Sequence, residues 1–370
     1  MKHQYKLYGW QASHFAAKLR AYMNYKQLDY QEKQPNAYEM MVLLPKKIGA
    51  SAMPAIETRL GEWLSDTPEI IAELEKRHPK NRIMPSSPRQ AVAAMVFENW
   101  VDDTWLKISM HTRWSYSENF DNRLKEETGK ILFPFAPKFI RDYIATKTFA
   151  GRIRNYMPSQ GIVPEQTELL ERWALGMLDT LEQHFSQHQY LLGARPCIAD
   201  YALVGSFYPH LNRDPWPKRE WVDPRPHLQR WVERTHRGDQ ASGDFMAEDK
   251  IPETIQPLFT IIAKEFFPLL AGTVKSLRTY IEHNHIMPGS PLPRVMENQT
   301  YPMADGEFSS NTFTYSLWRM QRIQRFYQSL PVAGQQSVDQ WFTELGLPHL
   351  LSIDFGPALE RDALSTRLAL

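Results

Sequence analysis

Two helix starts within the first eighty residues carry side chains that can do chemistry. At the first, Ser13 stands ahead of the helical run in Trp10-Gln11-Ala12-Ser13-His14-Phe15-Ala16-Ala17-Lys18-Leu19-Arg20. A hydroxyl donor next to the positive end of a helix favours a negative charge, and a thiolate sulfur is one such charge. Tyr5 and Tyr8 are rival hydroxyls, and ordinary helix capping is the competing reading of Ser13. At the second, Asp66 and Thr67 precede Pro68 and the apolar face Ile70, Ile71 and Leu74. Thr67 reads as the N-cap and Pro68 as the first helical residue. The free N–H groups of that helix start can hold a carboxylate and Asp66 an ammonium. Side by side they fit the α-amino-acid end of a ligand; capping alone is again the alternative.

The elements that would position these groups follow in order. Tyr5–Tyr8 reads as a short strand, and a loop from Gly9 to Ala12 leads into a helix with Phe15, Leu19, Tyr22 and Met23 on its core face. Asp29–Glu32 can form the next strand. After a Pro-containing connection over Pro35–Ala52, the runs Ala55–Thr58 and Glu62–Leu64 form a hairpin, with Gly61 supplying the positive φ that a tight turn demands. Strand, helix, strand, connection, hairpin, helix is the order of a thioredoxin-like domain. No Cys lies in this part of the chain and no C-x-x-C occurs anywhere, so disulfide exchange by the domain's own sulfur is excluded.

Composition sets the wider bounds. The chain has 370 residues, 42% hydrophobic and 23% charged, enough for two or three domains. Its formal net charge of +1 gives no case for a nucleic acid or an acidic membrane surface as partner. The single cysteine, Cys197, fits a reducing compartment, the N-terminal residues lack a signal peptide's apolar run, and no apolar stretch approaches a bilayer span. A cytoplasmic protein is expected.

The ordered set of motifs resembles the cytosolic glutathione S-transferases of serine type. In first-domain order these are Ser13, the step Met53-Pro54, and Leu64-x-Asp66-Thr67-x-x-Ile70; the second-domain run is Leu192-Gly193-x-x-Pro196-Cys197-Ile198-Ala199-Asp200. The resemblance implies an α+β fold: a thioredoxin-like glutathione-binding domain over 1–80, then an all-α transferase C-terminal domain over 88–238. A mostly helical extension over 239–370 lies beyond the family's usual length. It also implies a cis bond at Pro54, with the Met53 backbone pairing the cysteinyl part of glutathione and Asp66-Thr67 holding its γ-glutamyl group. Lys46 and Lys47 are candidates for the glycyl carboxylate. Ser13 would stabilise the glutathione thiolate, although His14 stands where the family has Pro. Trp10, His14, Trp105, His111 and Trp114 could line the pocket for a flat hydrophobic electrophile. Cys197 and Asp200 would form a structural capping box in which Cys replaces the family's Ser or Thr, a cap weaker by about 1 kcal/mol.

What this implies is a homodimeric glutathione transferase that conjugates the thiolate to a hydrophobic electrophile and needs no metal. A non-catalytic binding protein of the same fold, or glutathione-dependent ether or halide cleavage, remain as alternatives. His184 and His188 at i, i+4, and His283 and His285, read as surface residues rather than ligands. In the extension, Ile255–Glu282 reads as a helix interrupted at Pro268, and 284–312 as a binding or mobile loop with a small hairpin within Val295–Phe308. Thr312–Leu330 reads as a helix whose Arg319, Arg322 and Arg325 face solvent.

Overall fold

The computed structural model describes residues 2–370 and divides into two compact units. The first takes the chain up to Arg82, with Leu106–Pro158 and Tyr201–Gln240; the second takes Ile83–Trp105, Ser159–Asp200 and Ala241–Leu370. The thioredoxin-like domain thus stands whole in the first unit, while the residues of the transferase C-terminal domain are shared between both.

In the first unit, β1 (Tyr5–Tyr8), β2 (Tyr30–Lys33), β3 (Ala55–Thr58) and β4 (Trp63–Ser65) form one sheet in the order β2-β1-β3-β4. β1 runs parallel to β2 and antiparallel to β3, with Leu7 opposite Ile56. Parallel neighbours need a crossover, and α1 (His14–Tyr25) supplies it. Gly61 closes the β3–β4 turn at φ 83°. Leu19, Tyr22 and Met23 are fully buried as the spacing predicts, but Phe15 is only half-buried and His14 takes its place at 4% exposure. The cause is packing on more than one side: Gly205 comes so close that an added Cβ would stand 2.9 Å from the His14 carbonyl oxygen. Gly238, at φ 76°, likewise seats the end of the Pro226–Arg237 helix on the Asn24–Tyr25 backbone.

The second unit is built around the helices α4 (Pro88–Trp100), Pro164–Gln187 and Gln256–His283. Trp100 and Trp105 pack their rings 5.8 and 5.5 Å from Trp173, and Phe97 meets Phe259. The Gln256–His283 helix runs unbroken through Pro268, contrary to the expected interruption. Pro268 is exposed while Phe266, Phe267, Leu269 and Leu270 are buried, so the hydrogen bond that proline removes is lost on the water side. This helix contains the one span among the described residues apolar enough to cross a bilayer, which corrects the sequence reading; 61% of that window is buried within the protein, as in a core helix.

Residues 295–313 are no loose loop. They form an antiparallel hairpin of β5 (Val295–Met303) and β6 (Gly306–Phe313), turning on Ala304 at φ 51°. Alternate residues Tyr301, Met303, Phe308, Ser310 and Thr312 point inward. The helix Thr314–Ser329 is close to its expected span, whereas the helix Val332–Glu344 and the hairpin of β7 (Leu359–Asp362) and β8 (Ser365–Leu368) carry no strong sequence signal. Arg319 does not face solvent: it is 4% exposed and ion-paired with Glu98 at 2.7 Å and with Asp102. His184 is also buried, its Nδ1 2.6 Å from Thr254 Oγ1 and its Nε2 3.1 Å from the Tyr190 carbonyl. His283 and His285 are exposed, as expected.

Candidate functional site

Ser13 is the N-cap of α1, with extended backbone at φ −89° and ψ 129°. Its Oγ accepts from the Ala16 N–H at 3.4 Å, a long bond, and the residue is partly exposed. The loop ahead of it is held on both sides by buried guanidiniums. Arg20 donates to the Trp10 carbonyl at 3.2 Å while paired with Glu32. Arg113, on α5 (Leu106–Ser115), donates to the Ala12 carbonyl at 2.6 Å and to Asp214 Oδ2 at 2.7 Å. Asp214 is fully buried and also receives Arg123. Sequence reasoning missed these supports; the Arg113 and Asp214 contacts join positions about a hundred residues apart that no local pattern links.

The rival hydroxyls are committed elsewhere. Tyr8 donates to Glu57 at 3.1 Å, and burial, with that carboxylate beside it, pushes its phenol well above the ordinary value. The Tyr5 hydroxyl lies 2.8 Å from His78 Nε2.

At the second helix start the cap falls one residue earlier than expected. Asp66 occupies it at φ 69°, and α3 runs over Thr67–Arg77, so Pro68 is the second helical residue. Positive φ is uncommon outside glycine and carries strain at a short polar residue. The Asp66 carbonyl accepts from Ile70 N–H at 2.9 Å, and Thr67 is 3% exposed. The Met53–Pro54 peptide is cis. Lys47, exposed in the last turn of α2 (Leu44–Ile48), places its ammonium 5.8 Å from the Trp63 ring centre.

The five aromatic candidates separate. Trp10 and Trp114 both pack against Phe149, with ring centres 5.3 and 6.0 Å from it, and the Arg154 guanidinium sits over Trp114. Trp10 also donates its indole N–H to the Pro35 carbonyl at 2.8 Å. His14 and His111 belong to the packed interior instead: His14 Nδ1 lies 3.2 Å from Ser206 Oγ, and His111, fully buried, lies 3.0 Å from Ser115 Oγ. Trp105 is fully buried against Trp173 in the second unit. Trp10 and Trp114 are buried as well, at 5% and 8% exposure, which corrects the expectation: none of the five presents the wall of an open pocket, whereas Phe149 is half-buried. Phe149, in contrast, has no signal in the sequence beyond its type.

The capping box around Asp200 has the geometry the motif demands. Its two carboxylate oxygens accept from Cys197 N–H at 2.9 Å and from Leu191 N–H at 3.0 Å. Cys197 is fully buried, and desolvation drives its thiol far above the usual range. Among the described residues no group of three or more His, Cys, Asp or Glu side chains is placed to hold a metal.

Comparison with known proteins adds family resemblance. Residues 7–82 match the family model described as glutathione S-transferase, N-terminal domain, and residues 165–234 match glutathione S-transferase, C-terminal domain. The chain thus carries segments similar to both the N-terminal and the C-terminal domain of glutathione S-transferases. No curated protein matches the sequence. Among solved structures it is similar to a glutathione S-transferase from Methylobacterium radiotolerans in complex with glutathione sulfonate, at 17% identity, TM-score 0.42, covering 67% of this chain and 99% of that one. It is also similar to the beta-etherase LigF from Sphingobium sp. strain SYK-6, at 18% identity and TM-score 0.42, covering 62% and 94%. A glutathione S-transferase from Methylobacillus flagellatus with glutathione bound gives 16% identity and TM-score 0.40, covering 64% and 98%.

Proposed function

We propose that the protein is a glutathione transferase in which Ser13 stabilises the thiolate of bound glutathione for attack on a hydrophobic electrophile. The observation that carries this reading is the state of the hydroxyls. Tyr5 and Tyr8 are bonded to His78 and Glu57, whereas Ser13 is partly exposed at the start of α1 with only one long bond. A free thiol with pKa about 8.5 is only a few per cent thiolate at pH 7, so a donor that favours the charged form raises the reactive fraction directly. In this proposal Asp66 and Thr67 take the γ-glutamyl end, the Met53 backbone beside Pro54 takes the cysteinyl part, and Lys47 meets the glycyl carboxylate. Phe149, half-buried and packed against Trp10 and Trp114, offers apolar surface to the electrophile. The proposal places the enzyme in the cytoplasm as a homodimer.

Ser13→Ala tests it. A charge-assisted hydrogen bond of about 1.5–3 kcal/mol corresponds to roughly a 10- to 100-fold fall in turnover with an aryl halide. Glutathione affinity should change little, and the pKa of the bound thiol, read from thiolate absorbance against pH, should rise by about one to two units. Wild-type protein that binds glutathione without turnover would make this a binding protein of the same fold. A variant with unaltered turnover and thiol pKa would remove Ser13 from the chemistry.

A further inference from the structure

One segment of the first unit does not share the chain's charge balance. Residues 125–154 hold seven Lys and Arg against three Asp and Glu, in a chain of formal net charge +1. The same segment carries a run of bare apolar side chains. Phe135 is 100% exposed, Phe139 73%, Tyr143 66% and Ile140 37%. Phe139, Ile140 and Tyr143 fall at i, i+1 and i+4 of the helix Lys138–Ile144 and so share a face, with Phe135 one turn ahead of it. None of that helix's residues is buried. Its aromatic side chains therefore lie mostly in solvent.

The cations sort into two groups. Lys125, Lys130 and Lys138 are paired with Asp121, Glu126 and Asp142, and Arg154 lies over the Trp114 and Phe120 rings. Arg141, Lys147 and Arg152 make no ion pair among the described residues, and Lys147 and Arg152 are exposed.

From this arrangement we propose that the Phe135–Tyr143 face is a docking surface for an anionic lipid bilayer, independent of the glutathione site. Exposed aromatic rings enter the headgroup boundary, while arginine and lysine stems lie along it and carry their charge to lipid phosphates. Rings without cations would suit any apolar partner; cations without rings would suit any acidic one. Together they match a surface that is apolar below and negative above. Arg141, two residues from both Phe139 and Tyr143, turns toward Gly129 instead, but a second copy seated two-fold on the same patch would set Lys147 and Arg152 against their own images, which like-charge repulsion disfavours. The chain-wide charge balance averages this local excess away.

The test is co-sedimentation of the full chain with vesicles of phosphatidylcholine alone or with about 30% phosphatidylserine, at low and high salt. Binding is expected on the serine-containing vesicles, weaker by roughly ten-fold on pure phosphatidylcholine or at high salt. Phe135→Ser/Phe139→Ser/Tyr143→Ser and, separately, Lys147→Glu/Arg152→Glu should each reduce it by about ten-fold or more. Both sets change exposed residues, and unaltered thermal unfolding would show that the fold is kept. Three outcomes overturn the proposal: no binding at low salt, variants that bind as well as wild type, or an aromatic variant that dissociates a wild-type dimer which itself ignores vesicles. The last would make the patch a subunit contact.

Discussion

Arg113→Met is the substitution that asks most of this structure. Arg113 is 4% exposed and spends three donors on three partners: Asp214, the Ala12 carbonyl and the Pro209 carbonyl. Methionine fills much of the stem's volume but removes the charge and every donor. Asp214, itself fully buried, keeps Arg123 as counter-ion, and the two carbonyls lose the guanidinium. Breaking a buried pair costs about 3–5 kcal/mol, and the surviving Arg123 contact puts the expected loss near the lower end. Urea unfolding at pH 7, following the first unit's transition, reads this loss directly. The pair should also be separable from its parts. In Arg113→Met/Asp214→Leu no buried carboxylate is left short of a partner, and Arg123 retains Glu127 at 3.3 Å, so most of the stability should return. Because Ala12 precedes Ser13, the single variant should also turn over glutathione more slowly under conditions where it is fully folded. A cost below about 1 kcal/mol, or a double variant no better than the single one, would refute the claim that this ion pair holds the loop.

Other outcomes follow from particular contacts. Gly161→Ala should destabilise the second unit by about 2–4 kcal/mol in urea, combining overpacking with a strained φ. Its Cβ would stand 2.3 Å from the Ser309 carbonyl oxygen and 2.5 Å from the Phe308 ring at φ 74°. His236 is stacked on Tyr208, and burial together with Arg20 and Arg213 lowers its pKa to about 3, below an unfolded value near 6.5. Stability from keeping it neutral is therefore complete above about pH 6.5 and is lost as pH falls toward 3, at most about 1.4 kcal/mol per unit before solvent screening. His236→Phe should lose roughly 1–2 kcal/mol less than wild type between pH 7 and pH 4.5. Cys197 should resist a thiol-specific reagent in the native protein and react fully in denaturant, since burial keeps the thiol protonated; labelling of the folded protein would contradict its burial.

The thioredoxin-like half was legible because its signals are local. Alternating residues in β3, the Gly61 turn and the paired helix starts each declare themselves within a few positions, and the errors there are one-residue shifts at β2, β4 and the Asp66 cap and the exchange of Phe15 for His14 on the core face. The Asp200 box was legible for the same reason. What escaped was set by distance along the chain. Arg319 on a periodic helix looks solvent-facing until Glu98 and Asp102, more than two hundred residues earlier, are brought to it. His184 reads as a surface residue until Thr254 and the Tyr190 carbonyl enclose its ring. The small hairpin expected within Val295–Phe308 is there and extends to Phe313, its turn made by Ala304 rather than Gly or Asn at positive φ. Trp10 and Trp114 both pack against Phe149, which belongs to a stretch with no motif.

The anchoring of Arg319 has a consequence for how this chain can be shortened or recombined. A version ending near residue 240 would withdraw the guanidinium from Glu98 and Asp102 and the carboxylate of Glu265 from the Trp173 indole. It would also bare the Phe97 and Trp100 rings to water. The last third is therefore part of the second unit's core, and a chain without it would need other residues at Glu98 and Asp102 on and after α4.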